Sequence, residues 1–266
     1  MDKFIIACVL YNSEINSINS LSAFMALKNA HDNVEIVIVD NSEKEEVKKK
    51  SQSQSHDIIY LDNNGNKGLS VAYNRVLSEF LNDPCWIMLA DDDTEFSIEY
   101  LENAYSKAMI NSNRIFCGIV RTEQGVLSPL KANKVRKQSD LFINEPGIYN
   151  NIFCINSGLV FNISVIKETG FFEEKIFLDM LDYWFMDKLI ELHMNRIEVL
   201  GGDIWQHFSG TEITDKKSQK RRFSIYKKDF STYCHVTKKN PVYKYSTLFR
   251  RIISIYMPKW VKRRRR

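Results

Sequence analysis

Three consecutive aspartates, Asp91, Asp92 and Asp93, close the apolar run of CWIMLADDDTEF (85–96). Like charges side by side repel, so folding alone gives little reason to put them at a strand end. Clustered carboxylates beside a threonine suit a hard divalent cation. Mg²⁺ or Mn²⁺ takes oxygen ligands and is usually held by one or two carboxylates together with substrate phosphates. A cation bridging protein and diphosphate would neutralise charge on a departing nucleoside diphosphate. The run also reads as a solvated acidic loop ahead of a helix expected at 97–108, with Thr94 or Ser97 as its N-cap. Asp40, closing VEIVIVD (34–40), has a similar pair of readings. It could accept a hydrogen bond from a base N–H, or begin a turn with Asn41 and Ser42.

These residues need a scaffold that gathers strand ends. KFIIACVL (3–10), VEIVIVD (34–40), HDIIYLD (56–62) and CWIMLA (85–90) read as strands. Residues 16–30 and LSVAYNRVLSEFL (69–81) carry apolar positions at helical spacing. This βαβ rhythm predicts an α/β fold, a mostly parallel sheet flanked by helices. Ligands of such sheets bind at the carboxyl ends of the strands. There the polar residues gather: Tyr11 and Asn12, Asp40 and Asn41, the 63–68 loop and the aspartate run. RIFCGIV (114–120) predicts another strand, and 122–150 an irregular polar connection. NIFCINSGLVFN (151–162) is a β stretch interrupted by Asn156, Ser157 and Gly158, where small residues would let a ligand approach the backbone. An amphipathic helix is expected to begin near Asp179 or Asp182.

The first strand is followed by YNSEINS, which lacks G-x-G-x-x-G, and no phosphate-binding G-x-x-x-x-G-K-[S/T] occurs. Dinucleotide binding of the usual kind and P-loop chemistry are therefore disfavoured. The 44% hydrophobic and 26% charged content is enough for a full core. Five scattered cysteines without a CxxC pair argue against a disulfide framework or a zinc site and fit a reducing cytosol. No run approaches the length of a bilayer span. The net charge of +4 belongs to the last ten residues, MPKWVKRRRR, which hold six basic side chains and no acid. Without them the body is slightly acidic, with 31 basic against 33 acidic residues. A basic tail of this kind meets an anionic surface; nucleic acid suits the tail but not the acidic body.

Seven pieces in order, FIIACVLYN, VIVDNS, NNGNKGLSVAYN, LADDDT, NSGLVF, GFFEEKIFLDMLDYW and QHFSG, resemble the family 2 glycosyltransferases, in particular their bacterial rhamnosyltransferase-type branch. The resemblance runs from about residue 3 to 210. It implies a GT-A fold, a catalytic domain over 1–210, and inverting sugar transfer from a nucleoside diphosphate sugar, dTDP- or UDP-linked, in surface polysaccharide synthesis. Carried over by position, Tyr11 and Asn12 would lie along the nucleoside and Asp40 would read the pyrimidine. The 64–68 segment, with Asn66 and Gly68, would approach the nucleotide, and Asn74 would be structural or near it. The three aspartates fall on the family's DxD motif. Asp91 and Asp92 would lie on the donor side and Asp93 would be the direct metal ligand, Asp91 also approaching the metal. Asp182 falls on the position of the catalytic base, a role a carboxylate can fill within about 3 Å of the acceptor hydroxyl. Asp179 is the alternative, three residues earlier and expected on the same helix face. Ser157, Gly158 and Trp184 would border the sugar or acceptor, and His207 the diphosphate and metal. Trp184 departs from the branch, which usually has an acid there, as does Lys188, which replaces an arginine.

Residues 211–266 resemble only the basic, aromatic tails of the branch. Interleaved Phe, Tyr, Ile and Trp with Lys and Arg suits amphipathic helices on an anionic membrane. That would place a cytoplasmic enzyme at the inner membrane face, near a saccharide or lipid-diphosphate-linked acceptor. The alternative for these helices is packing or a homodimer contact. Two other functions share the fold. A sugar nucleotidyltransferase would need a glycine-rich loop where YNSEINS stands, and a non-catalytic nucleotide-sugar-binding relative is suggested by the Trp184 departure.

Overall fold

Runs of β-branched residues form the first half of the sheet, because such side chains fit a pleat covered on both faces. In this computed structural model, which describes residues 1–132, 141–207 and 216–256, β1 (Lys3–Leu10), β2 (Val34–Asp40), β3 (Ile59–Asp62) and β4 (Cys85–Asp91) pair in parallel in the order β3-β2-β1-β4. The crossovers carry α1 (Leu21–Ala30), α2 (Glu45–Ser53) and α3 (Leu69–Phe80). The short β5 (Thr94–Phe96) follows the aspartates and leads into α4 (Ile98–Met109). Ser97 is its N-cap, accepting the Tyr100 N–H at 3.1 Å.

The second half mixes directions. β6 (Ile115–Thr122), β7 (Gly125–Ser128), β8 (Leu130–Lys131), β9 (Gly147–Asn150), β10 (Ile152–Phe153) and β11 (Leu159–Asn162) lead to α5 (Ser164–Thr169) and α6 (Leu181–Glu191). Then come β12 (Arg196–Gln206), α7 (Lys216–Val236) and α8 (Pro241–Tyr256). The sheet continues from β4 through β11, β6 and β12 to β5, with β11 antiparallel to both neighbours and β12 parallel to β6. The expected α/β sheet is present. The 122–150 connection, expected to be irregular, holds three short strands among its described residues, two of them pairing with strands of the main sheet.

Strand alternation sends Ile5, Ala7, Ile87 and Leu89 into a core under α3, α6 and α7, and Phe4, Ile6, Trp86 and Met88 into a second core under α1 and α4. On α7, Tyr226, Phe230 and Tyr233 are buried in the first core, so this basic helix packs on the body of the sheet. All five cysteines are buried and unbridged. Among the described residues no helix is long and apolar enough to cross a membrane. The basic run MPKWVKRRRR and residues 208–210 of QHFSG lie outside the described residues.

Candidate active site

The carboxyl ends of β1, β2 and β4 open into a cleft of about 1320 Å³ whose opposite wall is α7 and α8. Tyr11, Asn66, Gly68, all three aspartates, Asp179 and Asp182 line it, so most residues expected at the site meet in one place. Asp40 and Asn12 sit behind that lining. Asp40 is fully buried, one oxygen accepting the Ser42 N–H at 2.7 Å and the other the Tyr60 hydroxyl at 2.7 Å. Its geometry is that of the turn. Asn12, in the left-handed region at φ 54°, joins the β1 and β2 loops by donating its N–H to Ser42 Oγ and accepting the Glu43 N–H.

The aspartates are held by neighbours that share their charge poorly. Burial, then Asp93 and Asp92, push Asp91 up to about 7. Burial, then Asp92, raise Asp93 to about 6, and burial raises Asp92 above the usual carboxylate range. Asp92 accepts the Ser13 hydroxyl at 2.6 Å. Asp93 accepts Gln206 Nε2 at 2.7 Å. A polar relay links the ends of the motif: the Asp91 N–H donates to Ser157 Oγ, Ser157 donates to Thr94 Oγ1, and Thr94 donates to Gln206 Oε1. Ser157 therefore supports the aspartate turn from behind, and Gly158 lies in the core, where a Cβ would come within 2.8 Å of Ile204. Their neighbour Asn156 lines the cleft instead. Its Oδ1 is buried and has no partner among the described residues.

His207 is adjacent to the motif by its backbone, its N–H reaching Asp93 O at 3.4 Å, while its ring pairs with Glu95 at 3.1 Å. No three His, Cys, Asp or Glu side chains among the described residues converge as a self-sufficient metal site. The crowded aspartates, raised by burial and mutual repulsion, do fit a cation that brings phosphate oxygens with it, since Mg²⁺ and Mn²⁺ need only one or two carboxylates from protein in such sites.

Across the cleft, the two candidate bases differ sharply. Asp179 does not share a helix face with Asp182. Met180, in the left-handed region at φ 69°, turns the chain between them, and α6 starts only at Leu181. Both Asp179 oxygens are taken by the Arg222 guanidinium of α7 in a bidentate pair. Asp182 is half-buried, and burial lifts it to about 6 against the opposing pull of the Tyr183 N–H, which donates to Oδ1 at 2.8 Å. Among the described residues nothing bonds its Oδ2. Trp184 faces inward, 6.1 Å from Phe172 and packed against the first core, whereas its neighbour Tyr183 lines the cleft.

The loop before Asp182 is fixed from two sides. From the first turn of α3, Leu69 N–H donates to Phe177 O at 2.7 Å and Ser70 to Ile176 O at 2.7 Å. Gly68, at φ +94°, lets Phe177 O come within 2.7 Å of where a Cβ would stand. Asn74 is structural, holding Phe172 through both ends of its amide. From α7, the fully buried Asp229 accepts the N–H groups of Phe177, Leu178 and Asp179 at 2.8 to 3.0 Å. Asp229→Ala strands three N–H donors and is expected to cost about 3 kcal/mol in urea denaturation. The sequence carries a signal for it: Asp229 is the only acid between 216 and 266.

The sequence model of glycosyl transferase family 2 matches residues 10–170. The chain belongs to that family. The match runs from the end of β1 through α5, and so includes the aspartate motif and Asn156, but stops before Asp182. No curated protein matches the sequence. Among solved structures, S. aureus TarS 1-349 is similar at a TM-score of 0.56 and 16% identity, over 92% of this chain and 69% of that one. The longer S. aureus TarS gives 0.56 and 16%, over 95% and 44%. GalNAc-T7 with UDP, GalNAc and Mn²⁺ gives 0.58 and 10%, over 97% and 58%. At these identities the likeness shows the fold, which is GT-A. Relative to the longer TarS and GalNAc-T7, this family 2 chain spans only about half the length.

Proposed function

We propose that this family 2 glycosyltransferase moves a sugar, rhamnose or another hexose, from a UDP- or dTDP-linked donor to a hydroxyl of a saccharide or lipid-diphosphate-linked acceptor. Transfer inverts the anomeric carbon and serves assembly of a bacterial surface polysaccharide. The observation that carries this reading is the opposition across one cleft of Asp182, raised to about 6 with one oxygen unbonded, and the three aspartates at the end of β4. Inverting transfer needs a base on the face of the sugar opposite the leaving diphosphate, and a carboxylate near 6 is ionised at neutral pH yet basic enough to take the proton. Asp182 Oδ2 takes it from the acceptor hydroxyl. Tyr11, Asn66 and the backbone at Gly68 border the nucleotide. Asp93, steadied by Gln206, would hold Mg²⁺ or Mn²⁺ with Asp91 alongside, and that cation would neutralise charge on the leaving diphosphate.

Three further observations support the arrangement. UDP complexes of TarS and GalNAc-T7 share the fold. Trp184, the departure from the branch pattern, lies on the core side, so it leaves the wall around Asp182 unaltered. Within the proposed 211–266 extension, α7 and α8 line the same cleft as the strand ends, and the extension would hold that cleft at the inner face of the membrane. A thermal-shift panel of nucleoside diphosphate sugars tests the reading. One UDP- or dTDP-sugar is expected to raise the melting temperature by several degrees, more with Mn²⁺ than without, as selective binding to the folded state requires. Failure of every donor to stabilise the protein in the presence of Mn²⁺ would sink it.

A further inference from the structure

Helix α8 presents two opposite faces. Tyr243, Thr247 and Arg251 line the cleft, and Leu248 is buried. Val242, Tyr245, Phe249 and Ile252 stand out from the body, 74%, 67%, 63% and 38% exposed. At about 100° per residue these four fall within an arc of roughly 80°, turned away from the cleft side. Four large apolar side chains in one stripe, on a helix already satisfied on its other face, form an unpartnered surface. The charge around it has one sign. On α8 the charged residues flanking the stripe are Lys244 and Arg250, and the helix carries no acid.

We infer that the outer face of α8 is the surface by which the protein docks on an anionic lipid bilayer. The inference deepens the membrane part of the proposed function by naming the contact. Apolar side chains of an interfacial helix enter the headgroup boundary while Lys and Arg meet anionic lipid, and each contribution alone is weak. A purely apolar partner surface would give Lys244 and Arg250 no anion to meet; an acidic lipid surface satisfies both the stripe and these two cations. Docking through this face would set the mouth of the cleft, walled by the same helix, within one helix diameter of the lipid. The acceptor would then be reached from the membrane surface.

The test uses the full chain and vesicles of phosphatidylcholine, with and without about one third phosphatidylglycerol. Sedimentation is expected to carry the protein down with the anionic vesicles only, with binding lost as salt rises. The double variant Tyr245→Ser, Phe249→Ser is expected to partition about tenfold less at unchanged melting temperature, since both side chains are exposed. Parent protein that stays in the supernatant, or a double variant that binds as well as the parent, overturns the inference. A concentration-dependent dimer abolished by the same double variant, without vesicle binding, assigns the face to a second copy and also overturns it. Donor binding and donor hydrolysis measured without vesicles report on the cleft separately, so failure of docking and failure of the catalytic reading are distinct results.

Discussion

Asp182→Asn is expected to lower sugar transfer about 10³-fold while nucleotide affinity stays unchanged. The size follows from what a positioned base contributes, 10²–10⁴-fold in general. Asparagine keeps the shape and can still receive the Tyr183 N–H, so the loop and α6 have no reason to move. What disappears is the only oxygen of the pair that can take a proton. The pH dependence follows with a definite sign. With Asp182 at about 6, the base is ionised above that value, so transfer at saturating donor should rise through pH 6 and level off above it. In the variant the remaining slow transfer should lose this step. Asp179→Asn supplies the contrast. Asp179 is already committed to Arg222, so its loss should loosen the α7 contact and lower stability more than it alters the pH step. Transfer rates across pH for the three proteins, with calorimetric nucleotide binding, check all of this. An Asp182→Asn enzyme with parental turnover would return the base to another residue.

The elements that position this chemistry were legible to different degrees, for physical reasons. β1, β2 and β4 announce themselves because strands covered on both faces must be apolar throughout. The helix at 97–108 was legible from its cap candidates Thr94 and Ser97, of which Ser97 is the N-cap. α2 was not, since EEVKKKSQS has almost no apolar face and is held by ion pairs of Lys48 with Glu45 and Asp62. The gathering of strand-end residues into one cleft followed from topology alone. The different fates of Asp179 and Asp182 did not. They depend on a left-handed Met180, a conformation with little sequence signature outside glycine and asparagine, and on an arginine 43 positions away. The support from α7 was obscured because its cations suggested an outward-facing helix. Tyr226, Phe230 and Tyr233 recur at helical spacing within that basic stretch, and they are what turns it inward.

Asp91→Asn is expected to make the unliganded protein more stable and the nucleotide site non-functional. A carboxyl raised from 3.8 to about 7 on folding binds its proton more tightly in the folded state. Stability contributed by that proton is therefore full below about pH 4 and is lost progressively as pH rises to 7. At pH 8 the folded protein carries a buried, ionised Asp91 against Asp93 and Asp92, and removing the charge should gain roughly 2 kcal/mol. At pH 4 the gain should vanish. The same repulsion is what a cation and diphosphate would relieve, so the parent should close the gap when a donor and Mn²⁺ are added, whereas the variant should gain little from them. Urea denaturation at pH 4 and 8, with and without nucleotide and Mn²⁺, reads both effects in one experiment. A variant less stable than the parent at pH 8 would mean that Tyr73, which donates to Asp91 at 3.4 Å, and the surrounding turn depend on that charge more than its neighbours oppose it. Stability gained at the expense of binding is the signature that separates an aspartate cluster built for a ligand from one that caps a helix, because a capping carboxylate loses stability when its charge is removed.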